Sequence, residues 1–175
     1  MTINDTLIEQ VESTKFLGIH IDQNMTWKVH INQIAKNVGI LTRIAYPLSR
    51  TTRLNLDYTL VYPYLTYCNL VWAGIYAKRL RILVILQKRA VRVVAGIKKW
   101  EHSVPSFVEH GLLRFGQIRE LQIGEFFYRL EYGLLPPIFR GFRQHASDIH
   151  SYSTRNSSAY RPVSAHTNTR RFTVK

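Results

Sequence analysis

The chain contains 175 residues, of which 46% are hydrophobic and 20% are charged. This length predicts one domain, or one domain with a small appendage, and the composition excludes global disorder and low-complexity fibres. Lys and Arg number 24 against 11 Asp and Glu, so the formal net charge is +13. Such an excess favours a polyanionic partner, with nucleic acid ahead of an acidic membrane surface or an acidic protein.

The N-terminal region is predicted to form a β-hairpin over residues 6–21. Residues 6–11 are half apolar and read as a first strand, and Glu12 with Ser13 provides the turn. The second strand begins at Lys15 and alternates in hydrophobicity. One face of this strand is expected to carry Leu17, Ile19 and Ile21, and the other Phe16, Gly18 and His20.

A long helix is predicted from an N-cap at Thr26 to about Ala45. Pro47 ends it, because proline disfavours helical geometry in the residue before it. Apolar residues recur at steps of three and four and so share one stripe of the helix. This stripe consists of Trp27, Ile31, Ile34, Val38, Leu41 and Ala45.

The next segment is predicted to be helical to Trp72, with Ser49, Thr51 or Thr52 as its cap. Pro63 lies inside it, lacks an amide donor and clashes with the carbonyl four residues back. We therefore expect a kink or two short helices, with Gly74 as the stop.

Residues 78–95 have the clearest helical pattern, with an apolar arc and a basic arc. The apolar arc consists of Leu80, Leu83, Val84, Gln87, Ala90, Val91 and Val94. The basic arc consists of Lys78, Arg81, Lys88, Arg89 and Arg92. Lys98 and Lys99 follow the C-terminus, where cations complement the helix dipole.

Two further helices and a tail complete the prediction. Ser103 caps a short helix that Gly111 closes, and residues 116–132 form a helix ended by Gly133. We expect a mainly α fold: a β-hairpin at 1–24, a helical domain of about five or six helices at 25–143, and a loosely ordered basic tail at 144–175.

The sequence contains few signals for catalysis. No two aspartates are adjacent or one residue apart, so no pair is present to hold two metal ions. There is no glycine-rich phosphate loop, and the histidines lack metal-ligand spacing. Cys68 lies in an apolar helical run and is interpreted as a small buried side chain. We expect no catalytic residue, no metal site and no cofactor.

Localisation signals are also scarce. No run approaches 18 apolar residues, so no membrane-spanning helix is predicted. The first ten residues include Asp5 and Glu9 and do not resemble a secretory signal peptide. Since a lone cysteine forms no internal disulfide, we expect an intracellular protein, nuclear or cytoplasmic, that is not secreted.

The basic helix is the strongest functional signal. A solvated charged face is the plain alternative, but residues 78–99 contain eight cations and no acid. We therefore predict nucleic-acid contact there. Trp72, Tyr76 and Trp100 flank the helix and are candidates for base stacking, although Trp72 is expected to pack in the core. The predicted binding residues are Lys78, Arg81, Lys88, Arg89, Arg92, Lys98 and Lys99.

Several segments, in order along nearly the whole chain, resemble the region after the catalytic palm in jockey-like non-LTR retrotransposon reverse transcriptases. They are residues 15–22 (KFLGIHID), 25–28 (MTWK) with 30–31 (HI), 62–68 (YPYLTYC) with 71–72 (VW), 86–92 (LQKRAVR), 134–136 (LLP) and 150–155 (HSYSTR).

The resemblance implies a placement for these segments. Phe16, Leu17 and Gly18 match the start of the primer-grip hairpin, and the helices match the thumb and connection that hold template–primer. The palm, with its catalytic aspartates and Mg²⁺, would lie upstream, and the C-terminus looks truncated. The implied partners are an RNA or DNA template–primer and the missing palm. Self-association is expected where the palm would otherwise cover the hairpin.

Two alternatives remain open. The chain is a retroelement relic with no biochemical role, or its first forty-odd residues are related to an N-terminal segment of AlkB-like tRNA-modifying dioxygenases. The iron-binding His-x-Asp motif of those enzymes is missing, so no dioxygenase activity follows. As it stands, the chain is expected not to be an enzyme.

Overall fold

The computed structural model describes residues 2–3, 6–7, 9–45, 47–74, 77–142 and 155, and the predicted tail at 144–175 lies outside these residues apart from Arg155. The fold class is confirmed: the protein is mainly helical and begins with an antiparallel β-hairpin. The strands are β1 (Thr2–Ile3), β2 (Thr6–Leu7), β3 (Ser13–Phe16) and β4 (Ile19–Asp22).

Helices account for most of the rest of the described chain. They are α1 (Lys28–Ala45), α2 (Arg50–Leu56), a π-helical segment (Asp57–Val61), α3 (Tyr62–Thr66), α4 (Asn69–Trp72), α5 (Ala77–Ala95), α6 (Val104–Glu109), α7 (Phe115–Glu131) and a 3-10 helix (Pro137–Phe142). None of the helices in the described residues combines the length and the apolar character needed to cross a bilayer.

The hairpin forms within the predicted region, but the predicted turn is wrong. Strands β3 and β4 pair with Phe16 opposite Ile19, and the turn consists of Leu17 and Gly18. Their φ angles are 46° and 84°, the combination that a two-residue type I′ turn requires. The alternating apolar and polar residues after Lys15 therefore belong to two strands and not to the single strand that was predicted. Leu17 consequently projects from the turn with 72% of its surface exposed.

The hairpin is attached to the helices at two places. Ile19 of β4 is buried, and Ile21 packs against the same cluster of side chains. At the turn, the hydroxyl of Tyr67 donates a hydrogen bond to the backbone oxygen of Leu17 at 2.7 Å. Tyr67 lies in the break between α3 and α4, so this bond holds the tip of the hairpin against the middle of the chain.

Replacing Tyr67 by phenylalanine is expected to lower the free energy of unfolding by about 0.5–1.5 kcal/mol, the usual net value of one hydrogen bond. The loss should be concentrated in the hairpin, so hydrogen exchange at the amides of residues 13–22 should accelerate more than exchange in α5. Tyr64→Phe removes a hydroxyl from α3 and is the matched control. Equal acceleration in both variants would contradict this role for Tyr67.

The predicted stripe on α1 is confirmed where its side chains are described. Trp27, Ile31, Ile34, Val38 and Ala45 are all buried, and the side chain of the sixth member lies outside the described residues. The helix begins at residue 28, two residues after the predicted cap. This stripe places one face of α1 in the core and leaves the other exposed.

The predicted interruption near Pro63 is present and takes a specific form. Ser49 caps α2 by accepting the backbone N–H of Thr52 at 3.3 Å. The helix then widens into the π segment, in which the Tyr62 N–H donates to the Asp57 oxygen five residues back. This wider turn immediately precedes Pro63, which has no N–H to continue the ladder.

The hairpin and the helices share one hydrophobic core. Trp72 is fully buried, and its ring stacks on Phe115 with centroids 6.0 Å apart. His30 meets the same indole edge-on at 5.4 Å. The indole N–H donates to the Tyr67 backbone oxygen at 2.8 Å. Because Ile19 belongs to this cluster, β4 is covered by the helices.

Helices α6 and α7 follow the prediction, with differences at their ends. α6 begins after Ser103, but within the described chain the Ser103 side chain makes no capping hydrogen bond, which corrects its predicted role. α7 begins one residue early, at Phe115. Gly111 and Gly133 adopt φ angles of 64° and 66° after these helices, a conformation that glycine adopts at little cost.

Candidate nucleic-acid interface

Helix α5 has the two faces that its sequence predicts. Its apolar arc is buried, apart from half-buried Val84, and includes Leu83 with no exposed surface and Val91 with 1% exposed. The opposite side is solvent-exposed, and no acidic residue occurs anywhere in the helix. Four of the predicted binding residues are exposed on it: Lys78, Arg81, Lys88 and Arg89.

Arg92 is the exception among the predicted cations on α5. It is half-buried, and its Nε donates to the backbone oxygen of Glu101 at 2.8 Å. The Glu101 carboxylate in turn accepts the backbone N–H of Lys98 at 2.9 Å. Arg92 therefore holds the loop after α5 against the helix, and its place among the phosphate contacts stays a prediction.

The loop that Arg92 holds displays three exposed side chains. Lys98 and Lys99 are exposed, as predicted, and Trp100 is 70% exposed. The Lys98 Nζ lies 5.5 Å from the centroid of the Trp100 ring, within cation–π range. Trp72 is fully buried, which confirms its predicted packing role, and the candidate Tyr76 lies outside the described residues. Trp100 is thus the described aromatic side chain suited to stacking beside these cations.

The exposed cations of α5 lie along two different edges. Arg81 and Lys88 are seven residues apart, so they share an outer edge with Arg92. Arg89 lies on the other edge, beside Ile82 and Ile85. The structure therefore separates a purely cationic edge from one that mixes cations with exposed isoleucines.

Helix α1 contributes cations that sequence reasoning missed. Lys36 and Arg43 line the same groove as Arg89, because α1 packs against α5 along much of its length. Lys36 and Arg43 are seven residues apart, so the sequence alone could have predicted that they share one side of α1. The pairing of α1 with α5 was needed to show that they face Arg89.

The primer-grip-like residues lie at the exposed tip of the hairpin. Phe16 and Leu17 are 62% and 72% exposed, and Gly18 follows them in the turn. A side chain at position 18 would contact the Tyr67 ring at 3.7 Å, an ordinary distance. Gly18 is therefore favoured by its φ of +84°, which is costly for other residues.

Two buried ionisable groups lie in the core. Burial raises the pKa of the Asp57 carboxyl to about 6, and no described donor reaches its Oδ1. Burial, with repulsion from His20, lowers the pKa of the His30 imidazole to about 4. Among the described residues, no cluster of three or more His, Cys, Asp or Glu side chains is arranged to hold a metal ion.

Comparison with known proteins adds no relative. No protein-family model matches the sequence, and neither a curated protein nor a solved structure is similar enough to count as a match.

Proposed function

We propose that this chain is the thumb-and-connection-like part of a jockey-like non-LTR reverse transcriptase without its palm, and that it binds template–primer nucleic acid without sequence preference. The family assignment rests on the sequence segments that resemble that region. The binding role rests on one observation above all: exposed Trp100 is held beside Lys98 and Lys99, next to a helix without acids.

The chemistry of these side chains suits a phosphate backbone. The Arg81 guanidinium can donate two hydrogen bonds to one phosphate, and Lys88 supplies a point charge two turns along the same edge. Trp100 offers a flat surface on which a base or sugar stacks without regard to sequence. Such contacts position a duplex and carry no sequence information. The chain's role is therefore to hold template–primer, while the chemistry belongs to the palm.

Salt dependence and charge reversal test this proposal. If about four side chains contact phosphates, the logarithm of the association constant should fall with the logarithm of salt at a slope near −3.6. In Arg81→Glu combined with Lys88→Glu, two contacts are lost, so the slope should weaken to about −1.8. Fluorescence anisotropy on unrelated duplex sequences measures both values.

Arg114→Glu combined with Arg129→Glu is the control, because it changes two exposed cations outside α5 by the same net charge. The control should keep most of the parent's slope, and binding by the α5 variant should weaken alike on every sequence. Equal losses in the two variants would mean that only net charge matters. That result, or the absence of binding by the parent, would overturn the proposed interface.

A further inference from the structure

An open groove runs between α1 and α5 on the surface of the protein. Its volume is about 840 Å³. Its apolar lining includes Ile40 from α1 and Ile82, Ile85 and Leu86 from α5. Three of these side chains are more than 40% exposed, and exposed apolar side chains grouped in one place are typical of an interaction site.

The rims of the groove are cationic. Lys36 and Arg43 lie on the α1 side and Arg89 lies on the α5 side, and the lining contains no acid. A duplex would place charged phosphates against the isoleucine floor, which offers them no hydrogen bond. An amphipathic helix with acids flanking an apolar stripe would satisfy both the floor and the rims.

Helix α7 of this chain has such a face. Leu121 and Tyr128 are 47% and 59% exposed and lie seven residues apart on its outer side. Glu120 and Glu125 are exposed and flank this stripe on opposite sides. Gly124 lies between Leu121 and Tyr128, in the middle of the exposed face.

Two glycines suggest where the helices would approach each other. A Cβ at Gly39 in the groove, or at Gly124 on α7, would meet no atom within 4 Å. Packing within one chain therefore does not require either glycine. Inside a helix, each glycine is less stable than alanine would be. The absence of a side chain at both positions would let a docked helix come close to the groove floor.

We propose that α7 of one copy of the chain docks in the α1–α5 groove of a second copy. The lengths agree: the lining of α1 runs from Asn32 to Arg43, and the α7 face runs from Gln117 to Tyr128. Both cover about 16 Å at about 1.5 Å per residue. Glu120 and Glu125 then meet the cationic rims, and Leu121 and Tyr128 cover the isoleucines.

This interface joins two different surfaces, so in a pair of copies one keeps a free groove and the other keeps a free α7. Such head-to-tail contacts build rings or open chains. The inference does not depend on nucleic-acid binding, because the Arg81 and Lys88 edge takes no part in it. The test of self-association is made without nucleic acid. A negative result would therefore leave the proposed nucleic-acid binding untouched, and the reverse also holds.

Two variants each block one surface. Gly39→Phe fills the groove where the structure has room, and Leu121→Lys with Gly124→Lys places two cations on the α7 face. Two controls are matched to them. Ile44→Phe enlarges an exposed side chain elsewhere on α1, and Val108→Lys with Ile138→Lys adds the same charge at exposed apolar sites.

Sedimentation velocity over a range of protein concentration is the measurement. The parent and both controls should form oligomers as concentration rises, and each blocked variant should remain a monomer. An equimolar mixture of the two blocked variants should form a one-to-one dimer and nothing larger, because one intact groove meets one intact α7. The proposal would be overturned if the parent were monomeric or if the mixture stayed monomeric. It would also be overturned if the blocked variants associated like the parent, since association would then occur elsewhere, for example through the hairpin.

Discussion

Replacing Gln87 by methionine should lower the free energy of unfolding by about 2–5 kcal/mol. Gln87 is buried on the apolar arc of α5. Its Oε1 accepts the backbone N–H of Phe115 at 2.8 Å, and its Nε2 donates to the Leu113 oxygen at 2.8 Å. Methionine has a similar shape but cannot donate and accepts only weakly, so both backbone groups would lose their partner.

Gln87 thereby holds the start of α7 against α5. The Phe115 N–H is one of the amides that a helix N-terminus leaves without a partner in its own helix. Gln33→Met is the control, since Gln33 is exposed on α1 and its loss should change stability by less than about 0.5 kcal/mol. Denaturant unfolding measures the free energy of unfolding of both variants. If Gln87→Met were as stable as Gln33→Met, Gln87 would not hold α7 against α5 in this way.

Removing the buried carboxyl with Asp57→Asn is expected to raise stability at pH 7 by about 1–3 kcal/mol. The pKa of Asp57 is raised from 3.8 to about 6, so ionising it at neutral pH costs about 3 kcal/mol. Part of this gain is lost because the amide also needs hydrogen-bond partners.

Asp57→Asn should also reveal how His30 makes stability depend on pH, an effect that Asp57 opposes in the parent. The raised pKa of Asp57 contributes stability that is present below about pH 3.8 and is lost as the pH rises to about 6. The lowered pKa of His30 contributes stability that is present above about pH 6.5 and is lost as the pH falls to about 4. In the parent the two slopes nearly cancel between about pH 4 and 6.

With Asp57 gone, only the His30 slope remains. Asp57→Asn should therefore lose about 3 kcal/mol of stability between pH 6.5 and pH 4, while the parent stays nearly level over that range. Urea unfolding at several pH values measures this difference. Glu125→Gln, at an exposed carboxylate on α7, should leave the parent's profile unchanged. The explanation fails if Asp57→Asn keeps the profile of the parent.

Helical periodicity carried most of the successful prediction. The stripe on α1 and the apolar arc on α5, including polar Gln87, are buried as predicted. Periodicity works there because both helices bury one side only, so spacing along the chain reports directly on packing. The exposure of Lys78, Arg81, Lys88 and Arg89 follows from the same pattern.

The errors arose where a long-range contact decides the structure. Leu17 is an unusual first residue for a type I′ turn, for which Asn or Asp is typical, so the hairpin turn was placed too early. The hydrogen bond from Arg92 to Glu101 was not predicted either, because it depends on how the loop after α5 folds back. The groove depends on α1 meeting α5, two helices whose facing residues lie about 50 positions apart, and no sequence period reports such a pairing.

The hydrogen bond from Tyr67 to Leu17 spans 50 residues, which has a kinetic consequence. Closing so long a loop is slow and entropically costly, whereas α1 and α5 form from local contacts. We therefore expect the hairpin to dock after the rate-limiting step of folding. Loss of the Tyr67 hydroxyl would then speed unfolding and leave the folding rate almost unchanged. The N-terminal strands would be the first part of the chain to detach when the protein opens.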